Sequence, residues 1–131
     1  MATVTVSRKL KALHPVVAGI ARNLADIDAI HFVRVTPGLL LASSEVAGGR
    51  VQTPVTKVGH PTAIGVSILI DLDAQDLIFD AITSAVRGYG NQMVGAVLKD
   101  LPDGWNVFVG IDWSDGFWEK MCRRHPRIVI L

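Results

Sequence analysis

The chain has 131 residues, of which 50% are hydrophobic and 19% are charged, and its formal net charge is +1. A chain this apolar and weakly charged can bury enough surface to offset the entropy of ordering, so the composition excludes intrinsic disorder. The longest apolar runs, such as residues 63–70, fall well short of the roughly 20 residues that span a bilayer. We therefore expect a single soluble α+β domain over residues 1–131 and no membrane association.

Two features of the composition bear on compartment and assembly. The first residues contain no basic segment followed by an apolar one, and the single cysteine, Cys122, cannot form an internal disulfide, so we expect a cytoplasmic protein. A small domain normally carries about a quarter charged residues, which is more than this chain has. We therefore expect a homodimer or higher homo-oligomer, with subunit contacts in segments 39–41, 105–118 and 128–131.

The first half of the chain is typical of an antiparallel meander that follows a strand and a helix. Alternating β-branched residues predict a strand over Ala2–Ser7, and apolar residues three and four apart predict a helix over Pro15–Asp28. The Gly48-Gly49 pair predicts a hairpin between two of the strands that follow. Those strands are predicted over Ile30–Val35, Leu39–Val46, Arg50–Val58 and Thr62–Asp71.

In the second half, apolar spacing predicts two helices, Ala74 to about Arg87 and Gln92–Leu101. A strand over Trp105–Asp112, a short helix over Gly116–Arg123 and a final strand over Arg127–Leu131 follow. The last strand is so apolar that we expect it to be interior or covered by another subunit, because an exposed one promotes aggregation. The predicted fold class is α+β, with a mixed, mainly antiparallel sheet of five to seven strands and helices packed mostly on one face.

Aspartates follow two of the predicted strands. Asp71 and Asp73 end one strand, and Asp112 and Asp115 end another. Ligand sites of α/β sheets tend to lie outside the carboxyl ends of strands, so these side chains are candidates for a common site. Clustered carboxylates can hold Mg²⁺ or Mn²⁺, or divide acid and base roles. The alternative is architectural, because aspartate is also favoured at helix N-caps and turns, where most of the ten aspartates of this chain lie.

Aromatic residues are concentrated near the second aspartate pair, since five of the eight lie between Trp105 and Trp118. Trp113 and Trp118 could stack on a flat ligand or anchor a partner, whereas the alternative is a second core cluster. The predicted ligand-binding residues are Asp71, Asp73, Asp112, Trp113, Asp115 and Trp118.

Other motifs are weak. The four histidines show no metal-binding spacing, so we predict no metal ligands, and the sequence identifies no cofactor. Cys122 lies on an apolar helix face without an orienting partner, so we expect it to be buried and not a nucleophile. The basic clusters 8–11 and 123–127 are short, which disfavours nucleic acid as a partner.

These observations predict a small homo-oligomeric binding or interaction protein with a small-ligand pocket at the strand ends. The alternative is a divalent-metal-dependent hydrolase or transferase. In that case Asp71, Asp73 and Asp112 would hold the metal, and Asp115 or His31 would carry the proton. The sequence leaves open whether the protein is an enzyme.

Overall fold

A computed structural model describes residues 2–112 and 114–131. Within them the chain forms three helices, α1 Pro15–Ala25, α2 Tyr89–Leu98 and α3 Phe117–Arg124. The first five strands are β1 Thr3–Val6, β2 Phe32–Thr36, β3 Leu39–Ser43, β4 Val46–Ala47 and β5 Thr53–Pro54. The remaining strands are β6 Ile64–Asp71, β7 Asp76–Ser84, β8 Asn106–Val109 and β9 Ile128–Ile130.

Seven strands form one mixed sheet in the order β1-β2-β3-β6-β7-β8-β9, while β4 and β5 form a separate hairpin. The middle of the sheet, from β2 to β7, is antiparallel. Both edges are parallel, with β1 beside β2 on one side and β7, β8 and β9 together on the other. The α+β class and the mixed sheet are as predicted, and that the helices pack mostly on one face stays a prediction.

Helix α1 begins where the sequence places it. Pro15 occupies the first turn, where its missing N–H costs nothing, and Nδ1 of His14 accepts a hydrogen bond from the Val16 N–H over 3.1 Å. The helix ends at Ala25, three residues before the predicted end. Its buried face, which includes Ile20 and Leu24, joins one core cluster that extends to Ile128 on β9.

The predicted helix over Ala74–Arg87 is wrong, because Asp76–Ser84 forms strand β7. It pairs antiparallel with β6 over eight residue pairs, from Asp71↔Asp76 to Ile64↔Ser84. The apolar residues of this segment fit either helical or strand spacing, and pairing with the buried strand β6 decides between them. The second predicted helix does form, as α2, but it begins three residues earlier, at Tyr89.

The carboxyl-terminal strand β9 lies at the edge of the sheet and not in its interior. It pairs with β8 alone, and Val129 and Leu131 are 51% and 73% exposed. Of the apolar side chains of this strand, only that of Ile128 is buried.

The hairpin expected at Gly48-Gly49 joins β4 and β5, which are much shorter than the predicted strands. Among residues 2–112 and 114–131, none of the helices has the length and apolar character required to cross a membrane.

Candidate functional site

The four predicted aspartates lie at opposite ends of the sheet. Asp71 ends β6 and Asp73 follows it in the turn to β7, whereas Asp112 and Asp115 follow β8. Strand β8 runs parallel to β7 and therefore antiparallel to β6, so the carboxyl ends of β6 and β8 point in opposite directions. Asp71 is level with Asn106, at the start of β8. At about 3.3 Å per residue, the end of β8 at Val109 lies about 10 Å farther along the strand direction, and Asp112 follows beyond that end.

Asp71 shapes the β6–β7 turn. Its Oδ1 accepts hydrogen bonds from the N–H groups of Asp73 and Ala74 over 3.1 and 3.0 Å. Gln75, the last residue of the turn, has a positive φ of 55°. Asp73 is not a helix N-cap, because the segment that follows it is strand β7 and not a helix. Both aspartates therefore have an architectural position, in the turn of a hairpin.

Asp112 and Ser114 organise the entry into α3. Oδ1 of Asp112 accepts hydrogen bonds from the Ser114 N–H over 2.8 Å and from the Ser114 hydroxyl. The Ser114 Oγ in turn accepts from the Trp118 N–H over 3.3 Å, in the first turn of α3. Asp115 is exposed beside them, and Trp113 lies outside the described residues. This chain of hydrogen bonds fixes Trp118 relative to the end of β8.

A cavity of about 320 Å³ lies next to this loop, beyond the carboxyl end of β8. The second half of β7 lines one part of the cavity, and Ile111 and Ser114 from the loop after β8 line another. Phe117 and Trp118 of α3 complete an aromatic side. The cavity lies at one of the two strand ends considered in the sequence analysis, and that it binds a ligand stays a prediction. Trp118 lines the cavity. In the sequence, Asp112 lies between two lining residues, Ile111 and Ser114.

The aromatic side is rigidly packed. Trp118 is 3% exposed and its ring centroid lies 4.9 Å from that of Phe79 in β7. Phe117 meets Trp118 edge-to-face, with centroids 5.1 Å apart. A Cβ at Gly90, in the first turn of α2, would lie 2.9 Å from Cε1 of Phe117. The absence of a side chain at Gly90 is therefore what lets the Phe117 ring close this side of the cavity.

Asp80 reaches the cavity through an irregularity of β7. The register with β6 shifts between Ser67 and Ile68, which pair with Ala81 and Phe79, so Asp80 is an extra residue. Such bulges re-aim side chains and are frequent beside functional sites. Oδ2 of Asp80 accepts a hydrogen bond from the buried Ser67 hydroxyl over 3.2 Å. This bond holds an exposed carboxylate at the cavity wall.

His60 contributes a polar group from the loop before β6. Its Nδ1 accepts hydrogen bonds from the N–H groups of Thr62 and Ala63 over 3.2 and 3.0 Å. Because Nδ1 is an acceptor, the neutral ring carries its proton on Nε2. His60 and Asp80 are the charged or titratable side chains among the described residues that line the cavity. Of the two, Asp80 contributes a carboxylate to the cavity wall.

The described part of the chain, 2–112 and 114–131, contains no group of three His, Cys, Asp or Glu side chains that could hold one metal ion. His31 directly precedes β2. Strands β2 and β8 are four strand positions apart in the sheet, which separates them by roughly 19 Å. Cys122 on α3 is half-buried, and burial, followed by the charge of Asp112, raises the pKa of its thiol. A raised pKa disfavours the thiolate that a nucleophile requires.

Sequence reasoning identified Trp118 and missed the residues of β7, because that segment was predicted to be helical. The signal that could have found them is the run of β-branched and aromatic residues after the turn, which includes Ile78, Phe79, Ile82 and Thr83. His60 and Asp80 carried no motif, since their placement depends on a loop and a bulge. Comparison of the chain with protein-family models, curated proteins and solved structures finds no match.

Proposed function

We propose that this protein is a homo-oligomeric binding protein whose ligand occupies the cavity between β7 and α3. The observation that carries the proposal is the composition of the cavity, in which a packed aromatic side faces the polar groups of Asp80 and His60. Ligand sites of proteins are concave, mostly apolar and supplied with a few placed polar groups, at volumes from about 300 Å³ upward. The volume of about 320 Å³ is at the small end of that range.

The lining determines which ligands fit. Phe117 and Trp118 offer apolar surface to a flat or aliphatic group, while the Asp80 carboxylate accepts hydrogen bonds. The negative charge at Asp80 favours a cationic or donor-bearing ligand and disfavours an anion of the same shape.

Three small aromatic probes test this discrimination, namely benzylamine, phenol and benzoate. In ¹H–¹⁵N NMR titrations at millimolar concentration, we expect benzylamine and phenol to shift the amide signals of Ser84 and Gly90. Benzoate should shift them less, and Asp80→Asn should reduce the difference between the cation and the anion.

The variant Ser84→Trp fills the cavity and should abolish these shifts. Its matched control is Val86→Trp, because Val86 is 51% exposed two residues farther on and does not line the cavity. If none of the probes shifts these signals, or if Ser84→Trp leaves the shifts unchanged, the cavity is not a binding site and the proposal fails.

Self-association is the second part of the proposal, and it depends on a row of apolar side chains across the sheet. Residues in register on five neighbouring strands form this row, Leu39, Leu69, Ile78, Phe108 and Val129. Leu69 and Val129 are 40% and 51% exposed, and the other three are partly exposed. At about 4.8 Å between strands the row is roughly 19 Å long. Exposed contiguous apolar surface marks interaction sites.

The charges beside the row favour a second copy of the chain as the partner. The row on one side carries Arg34, which pairs with Leu41, together with Asp80, whose carboxylate bonds to Ser67 of that row. The row on the other side carries Asp71 and Asp76. A two-fold axis along the apolar row would place Arg34 of each copy on the side of Asp71 and Asp76 of the other. Each of the three segments in which subunit contacts are predicted contributes one residue to the row, Leu39, Phe108 and Val129.

The mass in solution tests this part. We expect sedimentation equilibrium to give twice the chain mass of 14.1 kDa for the wild type, and the chain mass for Leu69→Lys. Leu72→Lys is the control, since Leu72 is 43% exposed in the β6–β7 turn, outside the row. A wild-type monomer at high concentration, or a Leu69→Lys dimer, would refute the interface.

A further inference from the structure

We propose that the natural ligand of the cavity is an extended peptide segment of another protein, which pairs as an added strand with the second half of β7. This inference rests on the proposed function, because it assigns a ligand class to the same cavity. It is carried by the hydrogen-bonding edge of β7, which the binding proposal does not use.

Strand β7 has a partner on both sides over its first half and on one side over its second half. Strand β8 pairs with β7 from Asp76 to Phe79, where β8 ends at Val109. The Gly110 N–H still donates to the Phe79 carbonyl over 3.3 Å, and the next residue, Ile111, lines the cavity without pairing with β7. Within residues 2–112 and 114–131, Ala81–Ser84 pairs with β6 alone.

The ladder between β6 and β7 shows which main-chain groups of β7 face the cavity. The Ala85 N–H donates to the Ala63 carbonyl over 3.2 Å. Ala63 and Ala85 are therefore a hydrogen-bonded pair of the ladder. Because hydrogen-bonded and non-hydrogen-bonded pairs alternate in an antiparallel ladder, Thr83 directs its N–H and C=O toward β6. Ile82 and Ser84 direct theirs away from β6, toward the cavity that both residues line.

The pattern that Ile82 and Ser84 present is that of a strand edge. An N–H and a C=O recur every second residue, at about 6.6 Å, and an extended chain matches both groups at this repeat. A neighbouring strand lies about 4.8 Å from its partner, and Ile82 and Ser84 line the cavity on the side that such a strand would occupy. Peptide binding by strand addition has this arrangement, with main-chain hydrogen bonds for affinity and pockets for alternate side chains.

The walls select among peptides. The aromatic side formed by Phe117 and Trp118 accepts an apolar side chain of the added strand. The Asp80 carboxylate, held by Ser67, favours a lysine or arginine close to that side chain, since opposite charges complement each other. The occupant is therefore a short extended segment that combines one buried apolar residue with a basic residue.

A displayed library of random eight-residue peptides tests the inference on the full chain. We expect wild-type protein to enrich peptides with an apolar residue near a lysine or arginine, and Ser84→Trp not to enrich them. Val86→Trp should behave as the wild type. Asp80→Asn should retain the apolar preference and lose the basic one.

The most enriched peptide is then synthesised in two N-methylated forms, each methylated at alternate residues. Successive N–H groups of a strand point to opposite sides, so one form loses the bonds to β7 and the other does not. We expect at least a tenfold loss of affinity in one form and less than a threefold loss in the other.

The outcomes separate the two proposals. If the library yields no enrichment, or if both N-methylated forms bind as well as the parent peptide, strand addition is refuted. The binding function survives that result provided that benzylamine or phenol still shifts the Ser84 and Gly90 signals. If the small probes and the peptides all fail, both proposals are refuted.

Discussion

The hydroxyl of Tyr89 donates a hydrogen bond to Oδ1 of Asp28 over 2.9 Å and thereby joins the start of α2 to the loop after α1. This bond raises the pKa of Tyr89, with smaller contributions from burial and from the negative charge of Asp28. All three effects favour the neutral phenol. Tyr89 is the only tyrosine of the chain, so its titration can be followed without overlap.

We expect the ultraviolet absorbance of the folded protein to report a Tyr89 pKa above the ordinary tyrosine value. Asp28→Asn should lower this pKa, because the carboxylate acceptor and its charge are removed together. Asp26→Asn is the control, since it removes a nearby charge without the hydrogen bond. An unchanged titration in Asp28→Asn would show that the bond does not form in solution.

The same bond predicts a sign for the dependence of stability on pH. Because the pKa is raised on folding, its contribution is complete below the pKa of the unfolded tyrosine and is lost as the pH rises through the folded value. Wild type should therefore be more stable than Tyr89→Phe at neutral pH, and the difference should close at alkaline pH. Urea unfolding of both proteins across this range measures the difference, and a gap that widens with pH would contradict the prediction.

Gly65 and Gly95 should respond to alanine in opposite directions. A Cβ at Gly65 would lie 2.5 Å from the Val55 carbonyl oxygen and 2.9 Å from that of Ala42, and neither main-chain oxygen can move away freely. Gly65→Ala should lower the free energy of unfolding by about 2 kcal/mol or more. Gly95 lies within α2, and a Cβ added there would have nothing within 4 Å. Gly95→Ala should therefore raise the free energy of unfolding by about 0.5–1 kcal/mol.

Chemical denaturation of these two glycine variants measures both values. Equal effects of the same sign would show that the close contact between β6 and the segment after β5 is not maintained in solution.

Asn23 connects α1 to the end of α2. The side chain is 8% exposed, and its amide donates to the Ala96 carbonyl over 3.3 Å and to Oδ2 of Asp100 over 2.9 Å. Asn23→Ala removes both bonds and leaves a buried gap, so we expect a loss of about 1–3 kcal/mol in thermal or chemical unfolding. Asp100→Ala should cost less, because it removes one bond and Asp100 is exposed. A larger loss in Asp100→Ala would contradict this assignment.

The metal-dependent alternative makes a prediction of its own. Asp71 and Asp112 lie at opposite ends of the sheet, so they do not form one site, and Asp71 is engaged in its turn. We expect millimolar Mg²⁺ or Mn²⁺ to change the melting temperatures of the wild type and of Asp71→Asn equally. A rise confined to the wild type would support a metal site that includes Asp71.

The sequence predicted much of the fold, because most elements have an unambiguous local signal. Pro15 begins α1 as expected, and the apolar run before Asp71 forms the buried strand β6. Strand β7 could not be assigned in this way, since Leu77, Ile78, Ala81 and Ile82 fit helical spacing as well. Its strand conformation results from pairing with β6, which is information from outside the segment.

The candidate site was harder to predict than the fold. Trp118 could be identified from its position after a strand end, but Asp80 reaches the cavity through a one-residue shift in pairing. No local pattern encodes such a shift, because it depends on how two strands align. Asp71 and Asp112 suggested one site only while the directions of their strands were unknown.

The antiparallel middle and parallel edges of the sheet also imply an order of assembly. Strands β6 and β7 are joined by the short turn after Asp71 and contact each other locally, so this hairpin can close within microseconds. The parallel edge strands must wait for a helix to fold back, since each is joined to its neighbour through α1, α2 or α3. Amide hydrogen exchange should consequently be slowest at Ile68 and Leu77 and fastest at Val4 and Val129. That order of exchange would show that the outer strands open without unfolding the interior hairpin.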